Sequence, residues 1–439
     1  MINLYRKCEG KEVFEIVKIY NLFPLMAGKI SDWIDKLDEI KDMNFDAIYL
    51  NPIYQTGYSR NIYAPKNFYE IDEKYLDPFS EKSPAEQFKE FINEAHKRDM
   101  KVILELIVTH TAIDSDLLLT HPEWYKYNEY GEIKKYSINN YDTLVEWGDL
   151  LEINNYHGDE TIRTYLWKYW IDLALYYENL GIDGIKIHSA FNVPMDLVKE
   201  IVENLKSKNS EFIIIGDNLG ASFNDMLELA QAGVDYLFSS FKWWNFRATW
   251  FLEQHYKLKE MVKMISFPEN YDTERVAMRY NENIEASKAF YILAALINSS
   301  IMIPIGFEHG NKVKLNELRG LEPELNIGNL DLKEYILHVN RLKDEINLFS
   351  EENDIYYLSQ ENPNIFAFKR ISRDKKERAL IIANLNFISS QYLKMEDIYY
   401  ILESDKVMDL SLENKEEIEN KFYEKTLNPG EVRVLYTKD

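Results

Sequence analysis

Short apolar runs alternate along the first two thirds of the chain with longer segments whose apolar residues recur at three- and four-residue spacing. In order the runs are Glu15 to Tyr20, Ala47 to Leu50, Val102 to Val108, Gly181 to His188, Phe212 to Ile215, Tyr236 to Phe238, Val262 to Ile265 and Ile301 to Ile303. The intervening segments read as helices: Ser31 opens one with Trp33, Ile34, Leu37 and Ile40 on one face, and others span Ser83 to Arg98, Thr161 to Leu180, Asn224 to Gln231 and Glu285 to Asn298. Strand and helix alternating in this way predict an α/β fold, a closed parallel (β/α)8 TIM barrel with its site at the C-terminal ends of the strands.

Two stretches break the alternation. Residues 109–159 are rich in Tyr and Asn with few helical cues, a connection too long to be a simple loop, and are read as a small subdomain inserted over the barrel mouth within a 1–350 barrel. Beyond the helical pattern of Leu332 to Leu348 the period changes. Ile355 to Leu358, Ile365 to Phe368, Ala379 to Ile382 and Val432 to Leu435 read as strands of an antiparallel, sandwich-like C-terminal domain over 351–439.

Composition narrows the partners. Hydrophobic residues make up 46% and charged ones 28%, enough for a large core. A net charge of −23 argues against nucleic acid and anionic membranes. The single cysteine, Cys8, rules out an internal disulfide, and neither an apolar leader nor a membrane-length apolar run is visible, so a cytoplasmic location is expected. Aromatic content is 14%, which suits stacking on sugar rings and equally suits a Tyr-rich core.

Several segments, taken in order, resemble the α-amylase family, glycoside hydrolase family 13. Asn51-Pro52-Ile53 ends the second run as in that family, and Tyr63 to Asp72 resembles the loop whose tyrosine stacks on the sugar at the cleavage site. Leu104 to Thr111 resembles the third-strand motif, Gly184-Ile185-Lys186-Ile187-His188 the fourth, Ile215-Gly216-Asp217 the fifth and Glu269 to Arg275 the seventh. Thr120 to Tyr125 is similar to a segment of the bacterial α-glucan maltosyltransferase branch. The resemblance implies catalytic positions at His188, Asp217 and Asp272, and sugar-binding positions at Tyr63, His110, Lys186, Tyr271 and Trp243.

The catalytic motifs read as degenerate, because two of those three positions carry other residues than the family's. His188 stands where the family has its aspartate nucleophile, Asp217 where it has its glutamate acid/base, and only Asp272 is unchanged. Lys186 replaces the family's arginine, Tyr271 a histidine, and Glu105 and Thr109 an Asp and an Asn. Retaining hydrolysis needs two carboxyl groups about 5–5.5 Å apart, one of them attacking an oxocarbenium-like centre. Imidazole has no negative charge to stabilise that centre. Asp217 is one methylene shorter than glutamate, and Lys186 offers a point charge in place of a bidentate fork. A structural ion-pair network at the barrel mouth is the competing reading of Lys186, Glu105 and Asp217.

No cofactor and no metal is expected. His110, His188, Asp217 and Asp272 all fall at strand ends but lack paired metal-ligand spacing. Thr109 stands where the family has an asparagine calcium ligand, and Glu152 replaces an aspartate, so the family's structural calcium is not carried over. Trp124, Trp243 and Trp244 are further stacking candidates beside their reading as core. Three functions stay open: a non-hydrolysing sugar-binding or partner protein that takes an α-glucan or maltooligosaccharide; an enzyme with altered chemistry through His188, Asp217 and Asp272; and a protein-interaction scaffold that has lost sugars.

Overall fold

The computed structural model describes residues 18–140, 143–318, 328–413 and 415–439. Cys8 and the start of the first run, Glu15 to Val17, lie outside the described residues. Eight parallel strands close into a barrel: β1 (Lys18–Asn21), β2 (Ala47–Leu50), β3 (Lys101–Leu106), β4 (Gly184–Ile187), β5 (Ile213–Gly216), β6 (Tyr236–Phe238), β7 (Lys263–Ser266) and β8 (Ser300–Pro304). Each pairs with its neighbours in sequence and β1 pairs with β8, so no edge is left open.

Local chemistry sets the elements that carry the site. Ser83 caps the helix Pro84–His96 and exchanges hydrogen bonds with Glu86, a reciprocal cap reinforced by proline in the first turn. The helix Glu160–Leu180 starts at Asp159, which accepts from the amides of Thr161 and Ile162, and stops at Gly181, left-handed at φ 113°. That stop delivers the chain into β4. There Gly184 pairs with Ile213, and a Cβ on it would lie 2.7 Å from the Ile213 carbonyl oxygen, so only glycine allows β4 and β5 to approach. Inside and around the barrel Trp33, Trp170, Ile48, Ile185, Ile214 and Ile303 are buried. Burial contributes about 1.5–3 kcal/mol for each large aliphatic side chain before conformational entropy opposes it.

The connection after β3 builds a three-stranded antiparallel sheet (His110–Ala112, Lys135–Asn140, Thr143–Glu152) and a short helix, Asp116–Thr120. After β2 a hairpin, Tyr54–Thr56 with Pro65–Ile71, carries Tyr63 on its connecting loop. Beyond the helix Lys333–Glu345, strands Asp354–Tyr357, Ile365–Ile371, Glu377–Asn384, Val432–Lys438 and Met408–Asp409 form one antiparallel sheet in that order, and Gln391–Met395 pairs with Tyr423–Leu427 in a second. Among the described residues no helix is long and apolar enough to cross a membrane.

Candidate active site

The mouth of the barrel is organised around two residues that the strand register sets side by side, Glu105 on β3 and Lys186 on β4. Both are fully buried. The Lys186 ammonium lies 2.7 Å from Glu105 Oε1 and 2.9 Å from Asp217 Oδ2, and donates to the hydroxyls of Tyr49 at 3.2 Å and Tyr271 at 3.1 Å. Glu105 Oε1 also faces His188 Nδ1 at 2.8 Å. Its Oε2 accepts from Tyr49 at 2.5 Å, Tyr63 at 3.0 Å and Asn51 at 3.3 Å. Burial alone would push the Glu105 carboxyl up, but the Lys186 charge and the His188 hydrogen bond outweigh it and hold it well below the usual carboxylate range. Burial would likewise lower Lys186, and Asp217 and Glu105 together raise it well above an ordinary lysine.

His188 and Asp217 sit where the ladder frays. The His188 amide donates to Leu106 and the Asp217 amide to Ile187, so each continues its strand by one residue. Asp217 Oδ1 accepts from the Leu219 amide at 3.2 Å. Ser189, next to His188, is left-handed at φ 45°, an uncommon conformation for a residue with a side chain that turns the chain sharply at this edge. The His188 side chain keeps 17% of its surface in solvent, against 0% for Glu105.

An aromatic layer closes the mouth. Tyr63 lies 5.1 Å from the His188 ring and 6.3 Å from Tyr271, which in turn stacks at 6.3 Å on Phe23. Burial raises the Tyr63 and Tyr271 hydroxyls, so both stay neutral, Tyr63 donating to Glu105 and Tyr271 accepting from Lys186. His110 Nε2 lies 2.9 Å from the Tyr63 carbonyl and Nδ1 lies 2.9 Å from the Thr109 hydroxyl. A carbonyl only accepts, so Nε2 carries the proton. Burial, aided by His188, pushes this imidazole down to about 3.

His188, Asp217, Lys186, Tyr63, Tyr271 and His110 therefore come together around Glu105. Asp272 makes no direct contact with them among the described residues: its side chain is 64% exposed and pairs with Lys314 at 2.9 Å. Trp243 is exposed and meets Phe267 edge-on at 5.8 Å, whereas Trp244 is buried and stacks on Phe251 at 4.4 Å. Trp124 is buried against His121 at 3.9 Å. Sequence reasoning missed Tyr49, whose place on the inner face of β2 two residues before Asn51 was a readable signal. It also missed Glu317, from the segment after β8. The Glu317 carbonyl accepts from the Ile62 amide at 3.1 Å, and burial with the Asp272 charge raises its carboxyl.

Ligand atoms of Glu105, His188 and Asp217 lie within 4.8 Å of one another, a spacing a metal could use. The Lys186 ammonium already touches both carboxylates, and a divalent ion there would meet a fixed positive charge. Glu152, at the family's calcium position, is likewise answered by Lys126 at 2.5 Å and Lys134 at 2.8 Å. Two ammonium groups on the carboxylate do not fit a calcium ligand set.

Residues 8–169 match the family model of the α-amylase catalytic domain. An α-1,4-glucan:maltose-1-phosphate maltosyltransferase of Picrophilus torridus is 23% identical over 408 residues, covering 85% of this chain and 61% of the relative. An intracellular maltogenic amylase of Bacillus subtilis is 24% identical over 203 residues, 44% of this chain and 31% of the relative. The chain thus spans about three fifths and one third of the lengths of these relatives. Among solved structures, the α-amylase of Geobacillus thermoleovorans complexed with acarbose superposes with a TM-score of 0.77 at 18% identity, covering 96% of this chain and 98% of that one, a likeness of fold. The match to the α-amylase catalytic domain over residues 8–169, together with a barrel and overall fold like those of solved α-amylases, makes this chain similar to the α-amylase family.

Proposed function

We propose that this is a carbohydrate-family protein that does not run ordinary retaining glycoside hydrolysis and serves as a sugar-binding or partner protein in α-glucan metabolism. The observation that carries the reading is the Lys186 ammonium bound between Glu105 and Asp217 under Tyr63 and Tyr271. Asp217 is committed to an ion pair, and the carboxylate opposite it, Glu105, is fully buried and held by the same Lys186 ammonium. Imidazole at His188 offers no anion to an oxocarbenium-like centre. Asp272 faces Lys314. The test is a hydrolysis assay on maltooligosaccharides with calorimetry on the same sugars. Turnover of the wild type at the level of the Asp217→Asn variant, with measurable binding heat, is expected. Turnover abolished by Asp217→Asn overturns the reading, and absence of any binding heat would move the function to a protein partner.

One observation favours a second reading, an enzyme of altered chemistry. The Glu105 carboxylate holds His188 through Nδ1, the arrangement that leaves Nε2 of a neutral imidazole as a base or nucleophile at the one partly open group of the cluster. The relatives named above are enzymes, one acting on maltose 1-phosphate and α-1,4-glucan by its name. Phosphate release from maltose 1-phosphate in the presence of a maltooligosaccharide, lost in His188→Ala, would select this reading.

A further inference from the structure

A cleft of about 460 Å³ lies between the β6–β7 side of the barrel and the C-terminal sheet, and none of the residues clustered at Glu105 lines it. Its walls are aromatic. Phe246 packs against Phe290 at 6.2 Å, and Tyr280 meets Phe387 at 5.0 Å. Trp243 stands at its edge with 54% of its surface exposed. Phe246 is held left-handed at φ 62°, a costly conformation for a bulky residue.

The charged residues lining this wall are Lys242 and Arg279; Glu269 and Glu274 act on Lys242 from outside the lining. Lys242 Nζ donates to the Glu274 carbonyl at 3.3 Å, and the Arg279 guanidinium rests 5.6 Å from the Tyr280 ring. Among the described residues neither makes an ion pair. The two feel one another: burial lowers Lys242 and the Arg279 charge lowers it further, against the pull of Glu269 and Glu274. In a chain of net charge −23, two like-charged groups facing an aromatic cleft are a local reversal of sign. Exposed cations that only keep a surface solvated gain nothing from sharing a concavity, where they repel.

We propose that this cleft binds a phosphorylated sugar, with the CH face of a pyranose on the aromatic wall at Trp243 and the phosphate between Lys242 and Arg279. The aromatic rings match the apolar face of a sugar, and a guanidinium and an ammonium together suit a phosphate dianion. The site is separate from the mouth, so it stands whichever reading of His188 holds.

Titration calorimetry of the full chain with glucose 1-phosphate, maltose, inorganic phosphate and ADP tests it. Glucose 1-phosphate should bind at least about tenfold tighter than maltose or phosphate, and Lys242→Met and Arg279→Gln should each weaken it by about tenfold or more, the range of a charge-assisted hydrogen bond. Trp243→Ala should weaken it while leaving the melting temperature unchanged. Equal affinity for maltose and glucose 1-phosphate, or affinity untouched by Lys242→Met and Arg279→Gln, overturns the proposal. So does ADP binding tighter than the sugar phosphate, or binding that disappears in His188→Ala and survives in Arg279→Gln.

Discussion

Replacing Lys186 by methionine removes the one positive charge in contact with both Glu105 and Asp217 and leaves two carboxylates facing each other in the buried mouth. Breaking a buried pair by deleting one partner costs about 3–5 kcal/mol, because the remaining charge is uncompensated. Unfolding entropy of about 2.1 cal/mol/K per residue gives this 439-residue chain about 0.9 kcal/mol/K, so the melting temperature should fall by roughly 3–6 °C at pH 7. The pH dependence has a definite sign. In the wild type Glu105 lies below its ordinary value of 4.5, so its contribution is fully present above that pH and is lost as the pH falls into the acid range. Lys186 lies above its ordinary 10.5, so its contribution is complete below that pH and is lost only in strong alkali. In Lys186→Met burial raises Glu105 instead, and stability then declines as the pH rises past 4.5. The gap between the two proteins should therefore widen from pH 4.5 to pH 7, and adding Glu105→Gln to the variant should recover part of the loss. Scanning calorimetry reads all three. A variant melting within about 1 °C of wild type at pH 7, or a gap that narrows with rising pH, would refute the view that this ion cluster holds the mouth together.

His110, pushed down to about 3 from 6.5, must be neutral to fold, so the unfolded chain binds the extra proton between those values and stability rises with pH across that window. The full effect is on the order of 5 kcal/mol; urea unfolding at several pH values should show it, and His110→Asn should flatten the profile. Because Lys126 and Lys134 already neutralise Glu152, millimolar calcium or a chelator should move the melting temperature by less than about 1 °C. A rise of several degrees with calcium would show that the lysines give way to the ion.

Much of this architecture is written locally. The barrel strands carry β-branched and aliphatic runs, Ser83, Asp159 and Gly181 stop and start helices by their own chemistry, and Ala47–Leu50 and Tyr236–Phe238 form strands over the very residues their apolar runs mark. The hairpin that carries Tyr63, the sheet over 110–152 and the pairing of Gln391–Met395 with Tyr423–Leu427 were not legible, because strands rich in polar residues lack a clear apolar period of their own and form only against a partner. The same division runs through the site. Residue identity at 188, 217 and 186, an imidazole, a carboxylate and an ammonium, is a property of the sequence. Which groups meet was decided by tertiary structure: parallel register puts Glu105 beside Lys186, while Asp272, one residue after Tyr271, pairs with Lys314. A side chain's charge is fixed by its covalent chemistry, but its partner is chosen by strands and loops that lie far apart in the chain.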